Sequence, residues 1–446
     1  MSHVLLQAWE KTLRQRGAER AVVQAADGRS CTFRELDARA RAWRDRAPEN
    51  LAGRAVVFAV PNGIGWLEIF LGLLHAGAVA VPLDAGEPAP AQRAAAQALR
   101  AGYWWDGARL EPLPEAHRFA HPAACGIKLT SGSSGRPRAL VFTAGQLLAD
   151  AKQVTATMGI TARDLNYALI PLGHSYGLGN LTLPLLAQGV PLVCGSTPLP
   201  HAIAADFMRW RPTVFPSVPA VWRALAAADA PRAQFSSLRL AISAGAPLPP
   251  ETARDFLARF GKRLHGFYGS SETGGIAYDR SGQDTRQGRA GRPLRGVTVT
   301  PLTGGRIRVS SAAVFTLANR ARSGKFGAWC PPDQVEVAAD GILTIVGRRG
   351  ATAKIAGRRV SLAEVAQRLR RLPGVDDAWV GVSAGSDPVL GAVVITKRSA
   401  GELRAALQSD TAGWKIPKRW AVLAELPLTA RGKTDTAALR ARLFES

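Results

Sequence analysis

Between residues 55 and 82 the chain reads Ala55-Val56-Val57-Phe58-Ala59-Val60, a Pro61-Asn62-Gly63 stop, an apolar segment over 66–75, and a second β-prone run over 78–82. This is a strand–helix–strand unit, and parallel strands joined through a helix require a sheet covered by helices. The same alternation continues downstream. Periodicity and Pro/Gly punctuation predict helices over 144–158, 178–187, 202–210, 220–228 and 250–260, with strands over 167–170, 191–194, 213–215 and 238–243 between them. The apolar run over 66–83 contains Glu68 and His75 and ends at Asp84, so it reads as a buried helix plus strand rather than a membrane span. No internal repeat stands out.

The first 50 residues read as helical, with Thr32 capping a helix that runs to Arg46 because Glu35 sits three residues on. From about Gly288 the texture changes to short β-prone runs over 297–301, 306–310, 334–337 and 343–346, separated by Gly and Pro. Gly347-Arg348-Arg349-Gly350 reads as a joint. Beyond it, a helix over 362–372 and strands over 377–382 and 392–396 make a small α+β module of domain size. The predicted class is α/β: a large body of several subdomains with parallel sheets over 1–346, a hinge over 347–350, and a mobile α+β domain over 351–446.

The chain has 446 residues, 47% hydrophobic and 20% charged, which suits a globular protein with a large core. Four cysteines, Cys31, Cys125, Cys194 and Cys330, are scattered too widely for a disulfide framework or a zinc site. With no basic-then-apolar leader over residues 1–10, the expected compartment is the cytoplasm. The seven histidines form no metal-ligand spacing. A net charge of +23 attracts anions in general, yet no dense basic block or aromatic ladder marks a nucleic-acid groove, so no specific nucleic-acid partner is expected.

Candidate chemistry starts at Lys128-Leu129-Thr130-Ser131-Gly132-Ser133-Ser134-Gly135-Arg136-Pro137-Arg138. An apolar lead-in ends in small residues and hydroxyls followed by two arginines, an arrangement suited to a polyphosphate. By itself the segment also reads as a flexible linker, and no Gly-Lys-Ser/Thr follows as in the common P-loop. Three more segments accompany it in order. They are Phe267-Tyr268-Gly269-Ser270-Ser271-Glu272-Thr273-Gly274-Gly275, the run from Ile345 through Gly347-Arg348-Arg349-Gly350 to Lys354-Ile355-Ala356-Gly357, and Pro427-Leu428-Thr429-Ala430-Arg431-Gly432-Lys433.

Together these four segments resemble the adenylate-forming (AMP-binding) superfamily of acyl- and aryl-CoA synthetases, peptide-synthetase adenylation domains and luciferases. The resemblance runs from about Thr32 to Lys433 and includes Val60-Pro61-Asn62, Ser243-Ala244-Gly245-Ala246-Pro247-Leu248 and Gly291-Arg292-Pro293. It implies ATP-dependent activation of a carboxylic acid as its acyl-adenylate, then transfer to a thiol. By the same resemblance Thr130, Ser131, Gly132, Ser133, Ser134 and Gly135 would wrap the β- and γ-phosphates, with Arg138 at the loop's end. Glu272 would ligate Mg²⁺ and Thr273 would contact the α-phosphate. Tyr268, followed by Gly269, would stack on adenine against the Gly245, Ala246 and Pro247 backbone. Asp333 would hold the ribose hydroxyls with Arg348 beside it, and Lys433 would bridge the carboxylate and the α-phosphate. Arg349 and Gly350 would form the hinge, and Lys354 and Gly357 would line a pantetheine tunnel.

This sequence departs from the pattern in four places. Pro331-Pro332 stands before Asp333 where relatives have Thr-Gly. Arg138 replaces a lysine, Ala139 a glycine, and Gly350 an acidic or basic hinge residue. A non-catalytic or adenylation-only nucleotide-binding homologue is the alternative these departures raise. Pro171-Leu172-Gly173-His174-Ser175-Tyr176-Gly177-Leu178 resembles the His-containing version of acyl- and aryl-acid enzymes, which disfavours an amino acid. His174, Tyr176, Phe215 and Val218 are the pocket candidates, and His174 is also a candidate gate. They point to an apolar acid, aryl or acyl. The thiol belongs to coenzyme A or to the phosphopantetheine arm of an acidic acyl carrier protein, both anionic acceptors that a basic chain would attract.

Overall fold

The structure is a computed structural model. It describes residues 4–114, 124–130, 138–315, 327–348, 352–355, 358–383, 388–408, 411, 413–429 and 434–445. The chain divides into two compact units, Met1–Val299 with Arg308–Trp329, and Thr300–Ile307 with Cys330–Ser446.

Two sheets dominate the first unit. In the larger, of nine strands, Arg20–Gln24, Leu192–Cys194, Asn166–Ala168, Val214–Ser217, Leu240–Ser243 and Leu264–Ser270 run parallel as neighbours. Antiparallel strands close both edges: Ser30–Thr32 on one side, Gly274–Tyr278 and Arg292–Pro293 on the other. The six-stranded sheet has Tyr103–Trp105, Ala55–Phe58, Val79–Pro82 and Ala124–Thr130 parallel at its centre, with Leu110–Pro112 and Arg138–Thr143 outside them. The predicted strand–helix–strand unit is therefore present, with helix Ile64–His75 between Ala55–Phe58 and Val79–Pro82. Among the described residues no helix is long and apolar enough to cross a membrane.

Helices end where local chemistry stops them. Pro200–Trp210, Pro219–Ala227 and Pro250–Phe260 each begin on a proline, whose missing N–H would have no helical partner there anyway. Ala144–Met158, Leu183–Gln188 and Pro250–Phe260 each stop at a left-handed glycine. The Thr32–Glu35 capping box forms as expected and opens helix Phe33–Arg46.

Two expectations need correction. The first 50 residues are not continuously helical, because Arg20–Gln24 and Ser30–Thr32 are strands. The segment predicted as one helix over 178–187 is instead a turn at Ser175–Gly177, a π-helical stretch at Leu178–Thr182 and a helix at Leu183–Gln188.

Phe207, Phe215, Trp222, Phe235, Phe256 and Phe260 form an aromatic core on one face of the large sheet. Between helices Phe33–Arg46 and Ile64–His75, Asp37 accepts hydrogen bonds from Trp9 Nε1 at 2.8 Å and Arg41 Nε at 2.6 Å, and faces His75 Nε2 at 3.0 Å. Burial alone would raise the Asp37 pKa, but these partners outweigh it and hold the carboxyl near 2 against an ordinary 3.8. A depressed carboxyl stabilises the fold above its unfolded value, and that stability is lost as pH falls through 3.8 toward about 2. Asp37→Ala should therefore cost about 2–3 kcal/mol at neutral pH, by leaving buried donors unpaired. The difference in denaturant midpoint from the parent should shrink below pH 4. A gap that stays constant with pH would show that the carboxylate charge is not what holds these helices together.

The second unit has its own core around Val365, Leu369, Ala378, Val394 and Leu403. Strands Val375–Val382, Leu390–Thr396 and Arg419–Leu423 form its sheet, with helices Leu362–Arg370, Ala400–Gln408 and Thr436–Phe444. Hairpin Asp333–Val337/Leu343–Arg348 belongs to this unit, and pairs Asp333 directly with Arg348.

Candidate active site

In an open parallel sheet, ligands bind beyond the carboxyl ends of the strands, where loops converge and backbone N–H groups are free. Several of the predicted site residues fall there. Val218 follows strand Val214–Ser217, Gly245 to Pro247 follow Leu240–Ser243, and Glu272–Thr273 follow Leu264–Ser270. The loop from Pro171 to Gly177 follows Asn166–Ala168. The phosphate-loop segment follows Ala124–Thr130. Its residues 131–137 lie outside the described residues, as do the side chains of Thr130 and Arg138. Lys433, Arg349, Gly350 and Gly357 also lie outside, with the side chains of Arg348 and Lys354; Lys354 is placed only as a strand residue paired with Arg359.

The acid-side loop is fixed by its neighbours. Asn62, from the stop after the first parallel strand, accepts from Leu172 N at 2.9 Å and donates to Ile170 O at 2.9 Å, tying one sheet's loop to the other's. Tyr176 is buried and points its hydroxyl at Ile242 O, 3.2 Å, and Ser217 O, 3.4 Å. Burial pushes that phenol well above its ordinary value, so it stays neutral. The Tyr176 ring lies 5.9 Å from Phe267, on the strand that carries Tyr268. Ser175 Oγ donates to Ser271 Oγ at 2.9 Å, beside Glu272. One hydrogen bond thus joins the acid-side loop to the turn that carries the carboxylate.

Tyr268 is buried opposite Ala277 in the antiparallel pair. Ser243 pairs in parallel register with Gly266, so the exposed Gly245-Ala246-Pro247 segment leaves the sheet beside the Tyr268 strand. Val218 lies next to Gly245, since a Cβ there would sit 3.5 Å from Val218 Cγ1. Glu272 is half-buried, and its carbonyl accepts from Phe315 N at 2.9 Å. Thr273 is wholly buried, with its hydroxyl donating to Gly274 O at 3.0 Å and 3.1 Å from Ser270 Oγ. His174 is half-buried at the start of the Ser175–Gly177 turn. Phe215 sits elsewhere. It is fully buried in the aromatic core, 5.0 Å from Tyr167 and 4.7 Å from Trp222, and is placed as a core residue.

Asp279 steadies the antiparallel pair: its two oxygens accept from Ser281, Gly282 and Thr285. Among the described residues no group of three or more His, Cys, Asp or Glu could hold a metal ion. The half-buried Glu272 carboxylate fits the needs of Mg²⁺, which takes one or two protein carboxylates and completes its shell with phosphate and water. Burial raises the thiols of Cys31 to about 11 and of Cys125 and Cys194 to about 12, so these cysteines are inert.

Residues 91–302, which include the phosphate segment, the acid-side loop and the Glu272 turn, match the family model described as AMP-binding enzyme. The chain is 29% identical to a feruloyl-CoA synthase of Amycolatopsis sp, across 96% of this chain and 97% of that one. It is also 28% identical to a benzoate–CoA ligase of Thauera aromatica, over 70% of this chain and 64% of that protein. Two solved structures share the fold of this chain. One is ATP-bound MatB from Rhodopseudomonas palustris, with TM-score 0.82 and 21% identity over 99% of both chains. The other is Klebsiella oxytoca NpsA, with TM-score 0.83 and 19% identity over 98% of this chain and 99% of that one.

Lys128 and Asn62 fall within motif segments legible in the sequence, but neither they nor Asp150 had a role assigned from sequence. Lys128 and Asp150 interrupt apolar patterns, which was their available signal. For Asn62 the signal was its place in the Val60-Pro61-Asn62 segment.

Proposed function

We propose that the chain is a carboxylic acid–thiol ligase that activates an aryl or acyl acid with ATP and passes the acyl group to a pantetheine thiol. In the first step a carboxylate oxygen attacks the α-phosphorus, the bond to the bridging oxygen breaks, and pyrophosphate leaves with that electron pair. In the second, the thiol displaces AMP from the mixed anhydride, giving a thioester. The observation that carries this reading is the Ser175–Ser271 hydrogen bond, which holds the acid-side loop against the Glu272–Thr273 turn. Two anions must meet there, and orientation by fixed loops is the larger part of what a protein can contribute.

Glu272 would hold Mg²⁺, which would offset charge on the nucleotide phosphates. Tyr268 and the Gly245-Ala246-Pro247 backbone would sandwich adenine. Asp333, with Arg348 opposite it, would take the ribose hydroxyls, and Lys433 would neutralise the attacking carboxylate and α-phosphate. The phosphate loop over Thr130 to Gly135, with Arg138, would hold the β- and γ-phosphates. Rotation at Arg349-Gly350 would then exchange Lys433 for Lys354 and Gly357 at the site. His174, Tyr176 and Val218 would line the acid pocket. Feruloyl-CoA synthase and benzoate–CoA ligase among the relatives support an aryl acid. So do two buried hydroxyls, Ser217 Oγ and Ser243 Oγ, on register-paired residues at the strand ends and without a hydrogen-bond partner among the described residues. They favour a ring with a polar substituent over a plain alkyl chain. The +23 charge would draw either coenzyme A or an acidic carrier protein, in a cytoplasmic setting.

The test is ATP–pyrophosphate exchange across benzoate, hydroxylated and aminated benzoates, hydroxycinnamates and fatty acids, followed by thioester formation with coenzyme A or with acidic carrier proteins. Exchange with at least one ring acid, reduced about 100-fold or more by Glu272→Gln, is expected. Exchange without any thioester would favour an adenylation-only enzyme. No exchange with any acid would remove the catalytic reading.

A further inference from the structure

Strand Ala124–Thr130 is central in its sheet and mostly apolar, yet it carries a lysine two residues before the phosphate loop. Lys128 is only 5% exposed. Its ammonium stands over the Phe142 ring, 4.4 Å from the centroid, and the Asp150 and Glu272 carboxylates are the opposite charges that bear on it. Asp150 is 4% exposed on helix Ala144–Met158. An isolated ion at such depth would cost several kcal/mol, so each needs opposite charge or a hydrogen-bond partner in its surroundings. Burial pulls the Lys128 ammonium below its ordinary value and the Asp150 carboxyl above its own, while their mutual attraction opposes both shifts.

Asp150 also grips the backbone of the site. Its Oδ1 accepts the Gly275 N–H at 3.0 Å. A Cβ on Gly274, whose φ is +70°, would come within 2.3 Å of the same oxygen. A Cβ on Gly179, past the acid-side loop, would come within 2.9 Å of Oδ2. Two glycines thus leave room for a single carboxylate at the junction of the phosphate strand, the Glu272 turn and the acid-side loop. For stability alone an apolar pair would serve as well, because a buried ion pair rarely gains net stability.

We infer that Lys128 and Asp150 are positioning residues: the pair sets the Glu272–Gly275 turn and so aims the Glu272 carboxylate at the magnesium–nucleotide. This rests on the proposed role of Glu272, and it concerns how that carboxylate is held.

The test compares the parent with Asp150→Asn, Lys128→Gln and the double variant Lys128→Gln/Asp150→Asn, which removes both charges together. Four quantities are read: thermal midpoint, calorimetric affinity for AMP without metal, calorimetric affinity for MgATP, and the Mg²⁺ concentration that half-saturates exchange. Each single change should weaken MgATP affinity and raise the Mg²⁺ requirement by about 10- to 100-fold, the usual range for residues that orient a metal ligand, with AMP affinity within about twofold. The double variant should regain the thermal midpoint while keeping the weakened MgATP affinity. If it regains both, or if AMP and MgATP affinities fall in step with stability, the pair is scaffold only and the inference is overturned. A double variant that does not fold counts against it in the same way. The calorimetric arms need no turnover, so an inactive parent would end the ligase reading while still deciding this one.

Discussion

Lys433→Ala should lower acid-dependent ATP–pyrophosphate exchange by about 100- to 1,000-fold, the loss expected when a cation aimed at developing charge is removed. The reason lies in the first half-reaction. A carboxylate approaching a triphosphate is repelled before any bond forms, and the ammonium proposed to lie between them offsets that repulsion at the reacting atoms. Thioester formation from a supplied acyl-adenylate has no such meeting of anions, so it should fall by less than about tenfold. The two half-reactions measured on one preparation check both expectations. Equal loss in both would mean that Lys433 supports the fold or the nucleotide generally. Undiminished exchange would remove it from the site.

Gly177→Ala should be the most damaging single-methyl change in the acid-side loop. A Cβ there would meet Pro171 O at 2.0 Å and Leu172 Cα at 3.2 Å, both backbone atoms. Relief requires the loop to move, and the loop is pinned. Leu172 N donates to Asn62, Thr182 Oγ1 donates to Leu172 O, and the neighbouring Tyr176 hydroxyl is held at the ends of two strands. A loss of about 3 kcal/mol, at the upper end for overpacking a dense interior, is expected in the denaturant midpoint. Where the variant remains folded, KM for the acid should rise while AMP affinity stays near the parent value, because Tyr268 lies on another strand and Gly245 to Pro247 follow a third. Gly65→Ala is the control. That glycine lies in helix Ile64–His75 with nothing within 4 Å of an added Cβ, so the change should be neutral or stabilising by up to about 1 kcal/mol. Equal effects of the two changes would show that helix propensity, not the carbonyl contact, is being measured.

What could be read from the chain alone was what neighbouring residues decide among themselves. The helix over 144–158 and the capping box at Thr32 came out at the residues expected, because a cap is settled within three or four residues. The helices that start on Pro200, Pro219 and Pro250 are of the same kind, since a proline's fixed φ needs no distant partner. The motif segments around Thr130, Tyr268 and Glu272 were legible too, because each is a short run of residue types suited to the proposed chemistry.

Tertiary structure decided the remainder. Strand Arg20–Gln24 exists because Leu192–Cys194, some 170 residues away, offers it a parallel edge, and no local pattern contains that edge. Phe215 read as a pocket residue, and only its packing against Trp222 and Tyr167 shows that it belongs to the aromatic core. Lys128 and Asp150 appear singly as polar interruptions in apolar segments. Burial drives each toward the other, and that becomes visible only when the helix Ala144–Met158 is laid against the Gly274–Gly275 backbone. Local sequence set the elements and the reactive groups, and long-range packing, by excluding water from chosen polar atoms, set which of those groups face one another.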